Sequence, residues 1–197
     1  MNTKIKVGIF IFNEVEVLDF AGPFEVFSIA SRDAQKLFQV VTIGETGQVI
    51  SARNGLQVIP TAKFADETDL DILIVPGGYG AEEIEIKNKT AIDWIKKQQD
   101  KVEIMASVCT GAFLLAESGI LDHKTATTHW MDIERLKNDY PKVTVIKNVK
   151  FIDEGKVITS GGISAGINMS FHIVKRFFGV EIAKQTARRM EYEIEIS

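Results

Sequence analysis

Cysteine, histidine and long apolar runs are what this chain has least of. Its 197 residues include one cysteine and three histidines, and 23 Lys plus Arg stand against 27 Asp plus Glu for a formal net charge of -4. One cysteine excludes an internal disulfide and any thiolate-rich metal site. No two histidines stand at the i, i+4 spacing of a helical metal pair, so no metal is expected. The Gly-x-Gly-x-x-Gly spacing of a dinucleotide site is missing after the first strand pattern, and no cofactor is expected either. The lack of a basic excess argues against duplex binding, because neutralising phosphates requires clustered Lys and Arg. The basic residues alternate with acidic ones, as in Glu134-Arg135-Leu136-Lys137, which is the pattern of a solvated face. No apolar run approaches the ~20 residues of a membrane span. Met1-Asn2-Thr3-Lys4 leads straight into a strand pattern with no secretory signal. The expectation is a soluble, cytoplasmic protein with neither nucleic-acid nor membrane partners.

What the chain does have is 45% hydrophobic residues in short runs that alternate with helical patterns. Strands are expected over residues 4–12, 38–43, 72–75, 102–108, 143–146, 150–152 and 157–160. Helices are expected from Pro23 onward and over residues 90–99, 111–118, 132–139, 163–178 and 181–190. Asn54-Gly55 predicts a hairpin between residues 49–51 and 57–59, since both residues favour positive φ. Alternating strands and helices give an α/β fold, a three-layer αβα sandwich with a Rossmann-like or flavodoxin-like, mostly parallel sheet. No composition break or linker interrupts it, so residues 1–197 are expected to form one domain. Residues 191–196 alternate polar and apolar side chains, as an edge strand or a subunit contact would.

Ligands of open parallel sheets bind outside the carboxyl ends of the strands. Cys109 lies there, after Ile104-Met105-Ala106-Ser107-Val108 and before Thr110-Gly111-Ala112. A helix amino-terminus favours negative charge, which predicts a stabilised thiolate in a turn resembling a nucleophile elbow. The plainer alternative is a small buried hydrophobe. Pro76-Gly77-Gly78-Tyr79-Gly80 ends another strand, and its glycines would let backbone N–H groups point into a cleft as an oxyanion hole needs; an ordinary turn is the alternative. Asp19 follows the first strand, where it would either cap a helix or face the active edge. Ser160-Gly161-Gly162-Ile163-Ser164-Ala165-Gly166 reads first as close helix packing. His129 is expected to be structural, His123 solvent-exposed, and His172 within the long helix.

Together, Ala106–Ala112, Ala126-Thr127-Thr128-His129-Trp130, Val75-Pro76-Gly77-Gly78, Leu18-Asp19-Phe20-Ala21-Gly22-Pro23 and Ser160–Gly166 resemble the ThiJ/PfpI (DJ-one) superfamily of class I glutamine amidotransferase-like proteins. The resemblance is closest to the isonitrile hydratase branch and to the amidase-like sensor domains of AraC-type regulators, and it runs from the first strand to about Glu193. It implies a homodimer, Cys109 as nucleophile and Asp19 as its acidic partner. Gly78, Tyr79 and Thr110 would supply oxyanion-type backbone donors, with Gly77 beside them in the same loop; His129 lies in one of these motifs, where it would line the pocket or bind a backbone carbonyl. The chain departs from peptidase relatives in carrying Thr110 where a histidine would follow the cysteine, and His172 is followed by Ile173-Val174 instead of a His-x-Glu pair. It also carries Asn168 where the branch often has Asp.

Without a histidine base, a protein-hydrolysis triad is not expected. Asp19 and Cys109 are expected to share one proton and titrate as a coupled pair, because two like charges at that spacing oppose each other. Such a pair suits a small-molecule electrophile. The leading expectation is a hydro-lyase that converts an isocyanide to an N-formamide. Attack by a water that Asp19 activates would use the same residues. The alternatives are a methylglyoxal-directed glyoxalase or deglycase, whose relatives generally carry Glu at the Asp19 position, and a non-catalytic ligand or oxidation sensor. Sensor relatives are fused to a helix-turn-helix module, and the chain ending at Ser197 without one favours the enzyme.

Overall fold

Seven strands form one sheet in the computed structural model, which describes residues 4–66 and 69–194. In chain order they are β1 (Ile5–Phe10), β2 (Phe38–Gly44), β3 (Ala62–Lys63), β4 (Ile72–Val75), β5 (Ile104–Val108), β6 (Phe151–Glu154) and β7 (Val157–Ser160). They lie in the order β6-β7-β5-β4-β1-β2-β3, parallel throughout except for the antiparallel β6–β7 pair. β4, β5 and β7 are buried along their whole length. That burial explains why β4 is a continuous apolar run and why β5 and β7 do not alternate with exposed polar residues, Ser107, Thr159 and Ser160 being buried too: helices cover both faces of the sheet.

The helices are α1 (Val17–Ile29), α2 (Tyr79–Glu83), α3 (Lys89–Gln99), α4 (Gly111–Glu117), α5 (Ile133–Asp139), α6 (Ala165–Phe178) and α7 (Val180–Arg189). α1, α6 and α7 pack on one another over one face, while α2, α3 and α4 pack together on the other. α3 begins at Asn88, whose Oδ1 accepts hydrogen bonds from the Thr90 and Ala91 N–H groups. α6 stops at Gly179, whose φ of 89° lies in the left-handed region that glycine enters freely. Among the described residues, no helix is long and apolar enough to cross a membrane.

The register sets the carboxyl ends of four neighbouring strands in a row: Ile9 opposite Ile74, Val75 opposite Ser107, and Val108 opposite Ser160. β1 and β4 are adjacent, yet the chain leaves β1 toward β2 and β3 and returns on the other side through β4 and β5. Loops diverging from such a switch point leave a crevice, where ligands of open α/β sheets bind.

Several local expectations change. The first helix starts at Val17 instead of Pro23, so Pro23 lies inside it and removes the helical N–H that would serve the Asp19 carbonyl. The predicted hairpin forms between Ile50–Ser51 and Gln57–Val58, with Asn54 at φ 59° and Gly55 at φ 85°. A ribbon of Ser31–Arg32 with Gln35–Lys36 and the short α2 have no counterpart in the sequence reading. The strand expected over residues 143–146 shrinks to Thr144–Val145, paired with Thr125–Ala126 outside the main sheet. Residues 191–194 are not a strand, and Tyr192 packs on Phe171 at 5.7 Å between rings. The rest of that proposed edge, residues 195 and 196, lies outside the described residues.

Candidate active site

Cys109 directly follows β5 with φ 56°, a left-handed conformation that non-glycine residues seldom adopt. Two hydrogen bonds hold it there: its N–H donates to the Gly161 carbonyl at 3.2 Å, and its carbonyl accepts from the Thr128 hydroxyl at 2.8 Å. Gly111 allows the tight exit, because a Cβ at that position would stand 2.1 Å from the Val75 carbonyl oxygen. The tight strand-to-helix turn expected from the sequence is present, its left-handed φ adds strain, and Cys109 is only 6% exposed.

Asp19 is the third residue of α1 and is fully buried. It does not cap the helix. Its Oδ2 accepts the Gly77 N–H at 3.1 Å, tying the loop after β1 to the loop after β4. Among the described residues its Oδ1 has no hydrogen-bond partner, although the carboxyl and the Cys109 thiol are close enough to perturb each other's ionisation. Burial pushes the Asp19 carboxyl up to about 7; the Gly77 N–H opposes this, and the Glu16 charge adds to it.

Burial and the Asp19 charge push the Cys109 thiol well above its ordinary value, and the Thr110 and Ile163 N–H groups only partly offset them. This corrects the expected thiolate. The helix that Cys109 precedes is a mere seven residues long, and its amino-terminal field does not outweigh burial beside a carboxyl. What the site holds at neutral pH is a protonated thiol beside a carboxyl near its midpoint.

The glycine loop also differs from expectation. The Gly77 N–H is committed to Asp19, and the Gly78 N–H donates to the Thr110 hydroxyl oxygen at 2.9 Å. Neither N–H is left to receive an oxyanion in this arrangement. Gly78 holds φ 113°, and a Cβ on Gly77 would stand 2.5 Å from the Thr110 nitrogen, so both glycines serve close approach of the two loops. Tyr79 is 53% exposed, with the Arg53 guanidinium 5.9 Å from its ring.

His129 packs edge-on against Gly162, where a Cβ would stand 2.0 Å from its Cδ2, and its Nδ1 lies 3.4 Å from Asp132 Oδ2. It braces the loop after β7. That loop carries a residue the sequence reading passed over: Ile163, at φ 53°, whose backbone N–H acts on both Asp19 and Cys109. A positive φ at a β-branched residue is costly, and the Gly161-Gly162 pair before it was the available signal. Beyond this loop lies a cavity of about 380 Å³ lined by Thr128, His129, Trp130, Val149, Lys150 and Ile163, among others. Asn168 sits half-buried on α6, and His172 pairs with Asp153 at 2.6 Å away from this site. Among the described residues no group of three or more His, Cys, Asp or Glu side chains is placed to hold a metal ion.

Fold and site thus define an α/β sandwich with a buried cysteine at a strained strand-to-helix turn beside a buried acid. The DJ-1/PfpI family matches residues 5–176, and the chain belongs to that family. It is 30% identical to an isonitrile hydratase of Pseudomonas putida over 95% of this chain and 78% of that protein. It is 24% identical to the transcriptional regulator GbdR of Pseudomonas aeruginosa over 95% of its length, spanning 50% of the regulator. A ThiJ/PfpI family protein from Pseudomonas syringae superposes with a TM-score of 0.87 at 20% identity, over 98% of this chain and 77% of that one. Drosophila melanogaster DJ-1beta superposes with 0.85 at 18% identity, over 98% of this chain and 100% of that one.

Proposed function

We propose that Cys109 and Asp19 add a thiol across a small electrophile, and that the chain is a hydro-lyase acting on isocyanides. The observation that carries this reading is the fully buried Asp19, near its midpoint at neutral pH, with one carboxyl oxygen unpartnered beside the thiol. A carboxyl near its midpoint at neutral pH both accepts and returns a proton with little cost.

Asp19 takes the thiol proton as sulfur bonds to the terminal carbon of R–N≡C, then delivers it to that carbon, giving the thioimidate R–N=CH–S–Cys109. Water adds to the same carbon, the C–S bond breaks, sulfur recovers a proton through Asp19, and the N-formamide R–NH–CHO leaves. The net change is addition of one water, with no oxidant or metal required. The Thr110 N–H, which opposes the rise of the thiol, stabilises charge developing on the sulfur, and the cavity lined by His129 and Ile163 receives the R group. The match to an isonitrile hydratase supports this choice of substrate. We place the activity in a homodimer of one ThiJ/PfpI-type unit spanning residues 1–197, with the exposed Leu18 and Phe24 on α1 at the subunit contact.

Purified wild type and Cys109→Ala, assayed in parallel against an isocyanide panel and methylglyoxal, test this. Formamide formation lost in the variant, with a mass-trapped adduct on Cys109 in the wild type, is the expected result. Full activity in Cys109→Ala would refute it. The match to half of a transcriptional regulator supports a second reading, ligand sensing; inertness toward both substrate classes favours it. The raised thiol disfavours direct oxidation sensing, because oxidisable cysteines are low-pKa and exposed.

A further inference from the structure

The cavity of about 380 Å³ is tied to Cys109 through the backbone of its wall. The Lys150 carbonyl accepts the Gly161 N–H at 2.9 Å, and the Gly161 carbonyl accepts the Cys109 N–H at 3.2 Å. Thr128, which also lines the cavity, holds the Cys109 carbonyl through its hydroxyl. The volume falls within the roughly 300–1,000 Å³ of small-molecule sites. Its rim is apolar and open: Trp130 is 75% exposed, and Val149 and Ile163 are each 38% exposed. The Trp130 ring meets the His129 ring at 5.8 Å and leaves most of its surface to water. Apolar side chains gathered at the mouth of a cavity mark a place where something binds. Charge at the cavity has one sign. Lys150 brings an ammonium, no Asp or Glu is among the lining residues, and the nearby Asp132 carboxylate faces His129 Nδ1 at 3.4 Å. Among the described residues the Lys150 ammonium makes no ion pair. In a chain of formal net charge -4, a cleft whose one full charge is positive gathers anions.

We propose that this cavity selects isocyanides whose R group joins an aromatic or branched apolar part to a carboxylate: the apolar part rests against Trp130, Val149 and Ile163, and the carboxylate meets the Lys150 ammonium. The inference names the substrate class of the hydratase site and rests on that reading. Its products are N-formyl acids. Lys150 takes no part in the chemistry; it decides which molecules stay beside the thiol long enough to react. Trp130 supplies contact area that is sequence-tolerant toward the shape of R, since an aromatic face accepts rings and branched chains alike.

The test compares kcat/KM of the full-length chain for 2-isocyano-3-phenylpropanoate and for its methyl ester, two probes that differ by one negative charge. The wild type is expected to prefer the acid. Lys150→Met is expected to lower the acid-to-ester ratio about fivefold, which is about 1 kcal/mol at ~1.36 kcal/mol per tenfold and the size of a partly exposed ion pair. Lys150→Arg keeps the charge and is expected to hold the ratio within about twofold. Added salt should compress the ratio more in the wild type than in Lys150→Met. Trp130→Ala is expected to lower kcat/KM for acid and ester alike, roughly fivefold; equal rates in this variant and the wild type would overturn the aromatic contact. A ratio that Lys150→Met leaves in place, or a wild type that prefers the ester, would overturn the proposal and leave the hydratase reading standing. Hydration of neither probe would overturn that reading, and the charge of the preferred ligand is then read from Cys109 alkylation by iodoacetate against iodoacetamide, followed by mass spectrometry. That rate ratio is expected to fall about fivefold in Lys150→Met, and an unmoved ratio would overturn the role of Lys150 as well.

Discussion

Replacing Asp19 by asparagine should make the protein more stable at pH 8 and less stable near pH 4, while abolishing its chemistry at both. The Asp19 carboxyl has an ordinary value of 3.8 and is raised to about 7 in the folded chain, chiefly by burial. Below pH 4 it is protonated in folded and unfolded chains alike and has no effect on stability. Between about 4 and 7 the unfolded chain ionises it while the folded chain keeps its proton, so the folded state binds more protons and stability falls as pH rises. Above 7 the loss is complete. A shift of about 3 units at ~1.36 kcal/mol each sets it at roughly 4 kcal/mol. The Cys109 thiol stays protonated across this window in both states and adds no slope. The amide introduced by Asp19→Asn would not titrate. Its carbonyl oxygen can keep the Gly77 N–H, but its NH₂ would occupy the place of the unpartnered Oδ1, an unsatisfied donor that costs about 1–3 kcal/mol. The variant should therefore be less stable by about 1–3 kcal/mol near pH 4 and more stable by a similar amount at pH 8. Urea unfolding followed by tryptophan fluorescence at pH 4, 6 and 8 measures the difference. Formamide formation should fall at least ~100-fold, since the group that carries the proton is gone. A stability difference constant with pH would refute the raised carboxyl, and with it the shared-proton account.

Three further outcomes follow from the geometry. Gly162→Ala forces a Cβ to within 2.0 Å of the His129 ring, so the ring or the loop must move; a loss of about 1–3 kcal/mol in melting experiments is expected, and an unchanged melting point would show that His129 does not brace this loop. Burial alone would raise the Asp153 carboxyl, but His172, the Gly155 N–H and Arg176 together outweigh it and hold it below its ordinary value. Asp153→Ala should therefore cost stability at pH 7, with a cost that holds down to about 4 and shrinks as pH falls further, through the lowered value of the folded carboxyl; a cost that does not shrink on acidification would contradict this. Sedimentation velocity should find a dimer for the wild type and a monomer for Phe24→Glu, and an identical dimer in both would remove the exposed face of α1 from the subunit contact.

The fold was legible because parallel strands covered on both faces leave a strong trace: residues 72–75 and 157–160 read as strands and are β4 and β7. Boundaries were less legible where two rules compete. Proline favours the first turn of a helix, yet apolar contacts of Val17 and Phe20 with the core start α1 six residues before Pro23. Short elements such as α2 left no periodic signal, and Tyr79-Gly80-Ala81 reads as a continuing turn.

The site shows the same division between position and environment. That Cys109 stands at a strand-to-helix turn near Asp19 follows from order along the chain, because the switch point between β1 and β4 gathers the loops after neighbouring strands. The direction of the thiol's shift does not follow from order. A helix amino-terminus lowers a thiol and burial raises it, and the balance depends on how much water reaches the sulfur and which carboxyl stands beside it. Here burial and Asp19 act together on Cys109, and burial lifts Asp19 by itself. Under the proposed function the consequence reaches the chemistry: an anionic sulfur would need only a substrate, whereas this one would first pass its proton to Asp19. The enclosure that makes the thiol a weak nucleophile at rest is therefore also what leaves Asp19 able to accept and return a proton at neutral pH.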